Sequence, residues 1–198
     1  VEDGVLTFGG EITREQIWEY RDDLSITGIV AAEGTVLPAD CTGLFSGYEN
    51  GTDHWINLEY IDLSAADTSA VEKMREMFRY LGYVSSIDLS GFDTSNVWDM
   101  TSMFQGSSMR VLDLSSFDTS SLESIYGMFL DCGNLGLIMV GDKWDVSGIT
   151  PVSIFGGCKS LVGGAGTAHG TGNTSSVNSS KLARIDGGAD APGYLTEK

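Results

Sequence analysis

Basic residues are scarce in this chain. Eleven Lys and Arg stand against twenty-eight Asp and Glu, giving a formal charge of −17 and a pI near 4.2. Such a field repels phosphate backbones and anionic lipid headgroups, so nucleic acid is not an expected partner, whereas cations and basic surfaces are attracted. Acidity also serves solubility. Long apolar runs are missing as well, and none approaches the roughly 20 residues of a membrane-spanning helix. The opening "VEDGVLTFGG" carries neither the basic stretch nor the apolar stretch of a signal peptide, which fits a mature or trimmed piece or export directed from elsewhere. There are three cysteines, Cys41, Cys132 and Cys158, with no C-x-x-C spacing, which argues against a zinc site and against a disulfide framework. Histidine is limited to His54 and His169, and G-x-S-x-G, P-loop and H-E-x-x-H motifs are absent. Catalysis is therefore not expected.

What is present is repetition. The segments Leu58-x-x-Ile61-x-Leu63, Val84-x-x-Ile87-x-Leu89, Met109-x-x-Leu112-x-Leu114 and Leu135-x-x-Ile138-x-Val140 start 26, 25 and 26 residues apart, and Leu161 begins a fifth. An earlier rung fits at Ile26-x-x-Ile29-x-Ala31. A three-residue polar word follows the strands: "DTS" from Asp67, Asp93 and Asp118, loosened to "DVS" from Asp145. Twenty residues after each start stands a phenylalanine: Phe78, Phe104, Phe129 and Phe155. Alternation in the first half predicts a short strand with Ile87 and Leu89 inward and Ser86 and Asp88 outward. Val97, Met100, Met103 and Phe104 fall at i, i+3, i+6 and i+7, which predicts a short helix or helical turn. Ser69-x-x-Glu72 and Ser120-x-x-Glu123 read as capping boxes opening it, and Ser95 as a simple cap.

The expected architecture is an α/β repeat solenoid, leucine-rich-repeat-like, with one short strand and one short helix or helical turn in each 25–26-residue rung. A unit of this kind cannot bury both its faces alone, but stacked neighbours share a continuous core. Residues 1–23 are expected to form an N-terminal cap, with a strand in "GVLTFGG" and a helix from a Thr13-x-x-Gln16 capping box through Asp22. Residues 24–162 then form about five rungs, and 163–198 a Gly/Ser-rich connection and C-terminal cover. Between Phe45 and Leu58 the first rung carries about seven extra residues, "GYENGTDHWIN", expected as a loop on one rim. Cys132 and Cys158 each lie three residues after a rung's Phe, so stacking would bring them within disulfide range; a buried free thiol fills such a ladder equally well.

Two features offer binding chemistry. The outward strand positions, Tyr60 and Asp62, Ser86 and Asp88, Val111 and Asp113, form a strip suited to a protein partner. His54 and Trp55 in the insertion add a second contact region, and Trp55 with Tyr60 could supply a stacking platform for a glycan. The stacked turn aspartates Asp67, Asp93, Asp118 and Asp145 are expected to accept local Asx-type hydrogen bonds, with calcium as the weaker alternative.

The run "LDLSSFDTSSLESIYGMFLDCGNL", with "IDLSGFDTSNVWDMTSMF" and "IDLSAADTSAVEKMREMF", resembles the BspA-type leucine-rich repeats of bacterial surface proteins, also described as a repeat domain of Mycoplasma lipoproteins. The resemblance covers about residues 24–162, and "IDGGADAPGYLT" resembles a segment that often closes such arrays. It implies a secreted or wall-attached bacterial protein that adheres to host matrix proteins or to other bacterial surface proteins. A glycan-binding module and a structural spacer are the alternative readings. The fourth rung departs from the pattern, with Pro151 in its second half and one residue fewer between Ser147 and Phe155.

Overall fold

The computed structural model describes residues 1–150, 152–170 and 182–198. Pro151, and residues 171–180 of the expected Gly/Ser-rich connection, lie outside them. In chain order the elements are β1 (Val5–Phe8), α1 (Arg14–Trp18), β2 (Gly28–Ala31), β3 (Tyr48–Glu49), β4 (Thr52–Asp53), β5 (Tyr60–Asp62), β6 (Ser86–Asp88), β7 (Val111–Leu114), β8 (Leu137–Val140) and β9 (Thr196–Glu197). Strands of two to four residues have no independent stability, so each depends on its neighbours.

Those neighbours come from the repeat. Gly28, Tyr60 and Ser86 pair in parallel register, as do Val30, Asp62 and Asp88, while Val111 pairs with Leu137 and Leu112 with Ile138. Ile61, Leu63, Leu112, Leu114, Ile138 and Val140 are buried, and Ser86 and Asp88 are exposed, so the alternation faces the way the period of two requires. Two sheets result, β1-β2-β5-β6 and β7-β8-β9. Across the break, the Ser108 hydroxyl donates to the carbonyls of Leu81 and Val84, and the Ser116 hydroxyl to that of Leu89.

The second half of each rung is not a helix. Among the described residues α1 is the single α-helix. An α-helix would direct each N–H to the carbonyl four residues back. Instead the N–H groups of Met74, Glu76, Phe78 and Tyr80 donate forward to the carbonyls of Asp99, Thr101, Met103 and Gln105 in the next rung. Met100, Ser102, Phe104 and Gly106 repeat the pattern toward Ser124, Tyr126, Met128 and Leu130. Between these bonds run four-residue β-turns, such as Met77 N–H to Met74 O and Met103 N–H to Met100 O. Successive turns of this kind put Met74, Met77 and Phe78 on the inner side, which produces the helix-like spacing. Glu76, Tyr80 and Ser102 adopt left-handed φ of 56°, 54° and 55°, a backbone that an α-helix excludes.

The polar word works differently from the expected helix cap. Asp67 Oδ1 accepts from Ser69 N–H at 3.0 Å and from its hydroxyl at 2.7 Å, and Asp93 accepts from Ser95 in the same way. Glu72 N–H and Glu123 N–H, which a capping box would give to Ser69 and Ser120, donate to Ala39 O and Trp98 O. The buried threonine between Asp and Ser couples rungs. Thr68, Thr94 and Thr119 each donate a hydroxyl to the carbonyl of Asp93, Asp118 and Asp145, and accept from that same residue's N–H at 2.8 Å.

The core is a file of rings. Phe8, Phe45, Phe78, Phe104, Phe129 and Phe155 stack with centroid separations of 5.6–6.2 Å, and Tyr194 ends the file, perpendicular to Phe155 at 5.1 Å. Each buried Phe contributes roughly 1.5–3 kcal/mol by burial. Cys132 and Cys158 are buried and free, the alternative that the sequence left open beside a bridge. Their thiols are directed at backbone instead, Cys132 Sγ to Phe104 O at 3.0 Å and Cys158 Sγ to Phe129 O at 2.8 Å, matching the Ser107 hydroxyl on Phe78 O at 2.7 Å.

At the N-terminus the Thr13 capping box with Gln16 is present, and α1 ends at Trp18, short of Asp22. The Trp18 indole N–H reaches the carbonyls of Gly43 and Leu44. β1 does not cross the array; it pairs with β2 in register and continues the ladder. At the other end Leu161 is buried, and the rung it starts adds no strand to the sheet; Val162 bridges Ala168 in antiparallel fashion instead. The place beside β8 is taken by β9, with Thr196 paired to Met139. Asp186 fastens this closure. Its carboxylate accepts from the N–H of Ala165, Thr167 and Gly188 and from the Thr167 hydroxyl, within 2.6–3.0 Å.

Candidate functional site

The outward strip is in place, and its chemistry is partly committed to the fold. Tyr60 pairs with Ser86 and Asp62 with Asp88 on adjacent strands, while Val111 and Asp113 lie beyond the sheet break. The Tyr60 ring covers Gly28, where a Cβ would come within 2.2 Å of it. Asp62 Oδ1 holds the Ser64 N–H and hydroxyl, and Asp88 Oδ1 holds Ser90 N–H at 2.9 Å. Asp113 bonds Ser115 N–H and pairs with Lys198 Nζ at 2.5 Å. Burial pushes its carboxyl up, but the Lys198 and Ser115 hydrogen bonds outweigh that and hold it below the ordinary range. Ser86, Asp88 and Val111 are the most open of the six, with Val111 48% exposed.

The second expected contact pair is not available. Trp55 is buried, 4% exposed, and its backbone N–H is bonded to Arg21 O. Its indole N–H has no hydrogen-bond partner among the described residues. His54 is 7% exposed, with Nδ1 2.7 Å from Asp22 Oδ1. Both side chains pack the insertion onto the N-terminal segment, helped by an Arg21–Glu49 ion pair at 2.6 Å. Hydrophobic anchoring of the loop took precedence over display.

The insertion instead displays tyrosine. β3 and β4 form a hairpin about the Asn50-Gly51 turn, and beside it opens a cleft of about 570 Å³ lined by Tyr48, Asp53, His54, Tyr80 and Tyr83 over a glycine floor. Tyr48 meets the edge of Tyr80 at a centroid distance of 5.5 Å, and the Arg79 guanidinium lies 4.7 Å from the Tyr80 ring centre. The floor follows from the repeat. Gly47, Tyr80, Gly106, Asp131 and Gly157 occupy one position on successive rungs, joined by the same N–H bonds, and glycine alternates with a side chain. Tyr80 leans over Gly106, whose φ of 70° and lack of a Cβ make room for the ring.

The turn aspartates form local bonds. Hydrogen bonds from the Ser69 hydroxyl and N–H hold the Asp67 carboxyl below its ordinary range, and Ser95 does the same for Asp93. Asp118 and Asp145 are shifted the same way by Ser120 and Ser147. Among the described residues no group of three or more His, Cys, Asp or Glu is arranged to hold a metal ion. No helix among them is long and apolar enough to cross a membrane.

A family model described as "Mycoplasma protein of unknown function, DUF285" matches residues 40–164. No curated protein and no solved structure matches the chain. The match spans the repeat from the back of the first rung through the start of the last, and the chain belongs to this family.

Proposed function

We propose that this DUF285 chain is a leucine-rich-repeat-like solenoid that serves as a non-enzymatic interaction module at a bacterial cell surface, either secreted or attached, and binds a protein partner. The observation that carries this reading is the strip itself. Ser86 and Asp88 lie in register with Tyr60 and Asp62 on short parallel strands, and the exposed Val111 stands on the next rung, beyond the sheet break. A rigid row of outward side chains costs little entropy to engage, and extended sheets are the faces that repeat arrays offer to proteins. The acidity of the strip favours a basic patch on a host matrix protein or on another bacterial surface protein.

The test is binding of the chain to a panel of extracellular matrix and bacterial surface proteins, with a Tyr60→Ala, Asp88→Ala, Asp113→Ala triple variant as comparison. Loss of binding by a variant that still unfolds cooperatively supports the strip. Unimpaired binding by the variant defeats it, and failure of the unaltered chain to bind any panel member assigns a spacer role.

A further inference from the structure

We propose that the tyrosine cleft beside the β3–β4 hairpin is a binding site for a neutral saccharide, separate from the strand strip. Its volume of about 570 Å³ falls within the roughly 300–1,000 Å³ of small-ligand clefts. Two of its rings are free to be covered: Tyr83 is 62% exposed and Tyr48 is 39% exposed. Aromatic faces of this kind accept the C–H faces of a sugar, while the phenol hydroxyls exchange hydrogen bonds with its rim. The Asp53 carboxylate, an acceptor only, adds a polar group suited to a ligand rich in hydroxyls.

Charge narrows the class. Three tyrosines and an aspartate would also suit a quaternary ammonium ion. Arg79, however, already places its cation against Tyr80, so that ring is not open to a second cation. Anionic sugars meet Asp53 and a chain of net charge −17. A proline-rich peptide could stack on tyrosines, but its prolines bring no N–H for the carboxylate. The neutral, hydroxylated ligand is the one that uses every group present.

The walls are set before a ligand arrives. Tyr80 is wedged over Gly106, and Gly47 abuts Tyr80 O so closely that a Cβ there would lie 2.3 Å from it. The hairpin is tied back through Arg21–Glu49 at 2.6 Å and His54 N–H to Gly47 O at 2.8 Å. Little ordering cost remains for binding.

The experiment is calorimetric titration and saturation-transfer NMR with maltotriose, cellotriose, chitotriose and lactose, beside a sialylated lactose, choline and a proline-rich peptide. Binding of at least one neutral sugar is expected. Tyr83→Ala and Tyr48→Ala are each expected to weaken it roughly five- to tenfold, and Asp53→Asn to weaken it as well, without lowering the melting temperature. The strip triple variant is expected to bind the sugar normally. The proposal is overturned if no neutral sugar binds, if only the sialylated sugar, choline or the peptide binds, or if the Tyr48→Ala, Tyr83→Ala double variant binds as tightly as the unaltered chain.

Discussion

The Thr94 hydroxyl brackets one residue of the following rung: it accepts from Asp118 N–H at 2.8 Å and donates to Asp118 O at 2.9 Å. Thr94 is fully buried, so no water replaces a lost partner. Thr94→Val keeps the shape and strands both backbone groups, and is expected to destabilise the chain by about 2–3 kcal/mol. Thr94→Ser, which keeps the hydroxyl, should cost less than half as much. Urea denaturation of the two variants checks the difference; equal losses would mean that the methyl packing, and not the hydroxyl, matters.

Gly106→Ala combines two penalties. Its φ of 70° costs an L-residue about 1–2 kcal/mol, and its Cβ would come within 2.2 Å of the Tyr80 ring. Gly34→Ala, with a φ of 81° and open space around it, carries the backbone cost alone. Thermal melts should show Gly106→Ala as the more damaging, and its tyrosine near-ultraviolet signal should change as Tyr80 is displaced.

Acid stability should centre on Asp186. Burial pushes this carboxyl up, but hydrogen bonds from the Thr167 hydroxyl and the N–H groups of Thr167, Gly188 and Gly193 outweigh that and hold it at about 2. A carboxyl depressed in the folded state stabilises above its unfolded value, near 3.8, and that contribution fades as pH falls through the folded value. The melting temperature should therefore decline between pH 4 and about pH 2. Asp186→Asn leaves at least two donors, the N–H groups of Ala165 and Thr167 on Oδ2, facing an amide nitrogen, should cost about 1–3 kcal/mol at neutral pH, and should flatten that acid limb. A limb of unchanged steepness in the variant would assign it to other carboxylates.

The cysteines should be silent in the folded chain. Burial pushes Cys41 and Cys132 up to about 12, and Cys158 higher still. Since the thiolate is the reactive form, a thiol reagent at pH 8 should label all three only as the chain unfolds. Cys132→Ser should cost less than about 1 kcal/mol, because Ser107 makes the equivalent bond one rung earlier. Rapid labelling of the native chain would contradict the buried arrangement.

The rung period, the inward faces of Ile61 and Leu112, and the Phe78–Phe104–Phe129 file were legible because each depends on spacing alone. The second half of the rung was not. Val71, Met74, Met77 and Phe78 have helical spacing, yet successive β-turns produce the same spacing, and left-handed φ at Glu76, Tyr80 and Ser102 carries no glycine to announce it. Ser69-x-x-Glu72 has the letters of a capping box, but a nearer acceptor, Asp67, takes the Ser69 N–H that Glu72 would accept. In the insertion, Trp55 had the size to anchor as readily as to display, and packing prevailed. The tyrosine cleft joins Tyr48 to Tyr80 and Tyr83 across more than thirty residues. Its one sequence trace is the glycine that returns at every second rung, at Gly47, Gly106 and Gly157.

The right angle between Phe155 and Tyr194 also fixes how such a chain can change its length. A ring standing on edge ends the parallel stack, and the next ring beyond it is the tilted His169 at 5.7 Å, not another phenylalanine. Between Phe78 and Phe129, by contrast, every ring meets its neighbour nearly flat, with interplanar angles of 13° and 4°. Duplication or loss of one whole 25- or 26-residue unit in that stretch leaves both ends as they are. The array is thus built like an extending ladder: its reach is set by the number of middle rungs, while its first and last pieces stay constant.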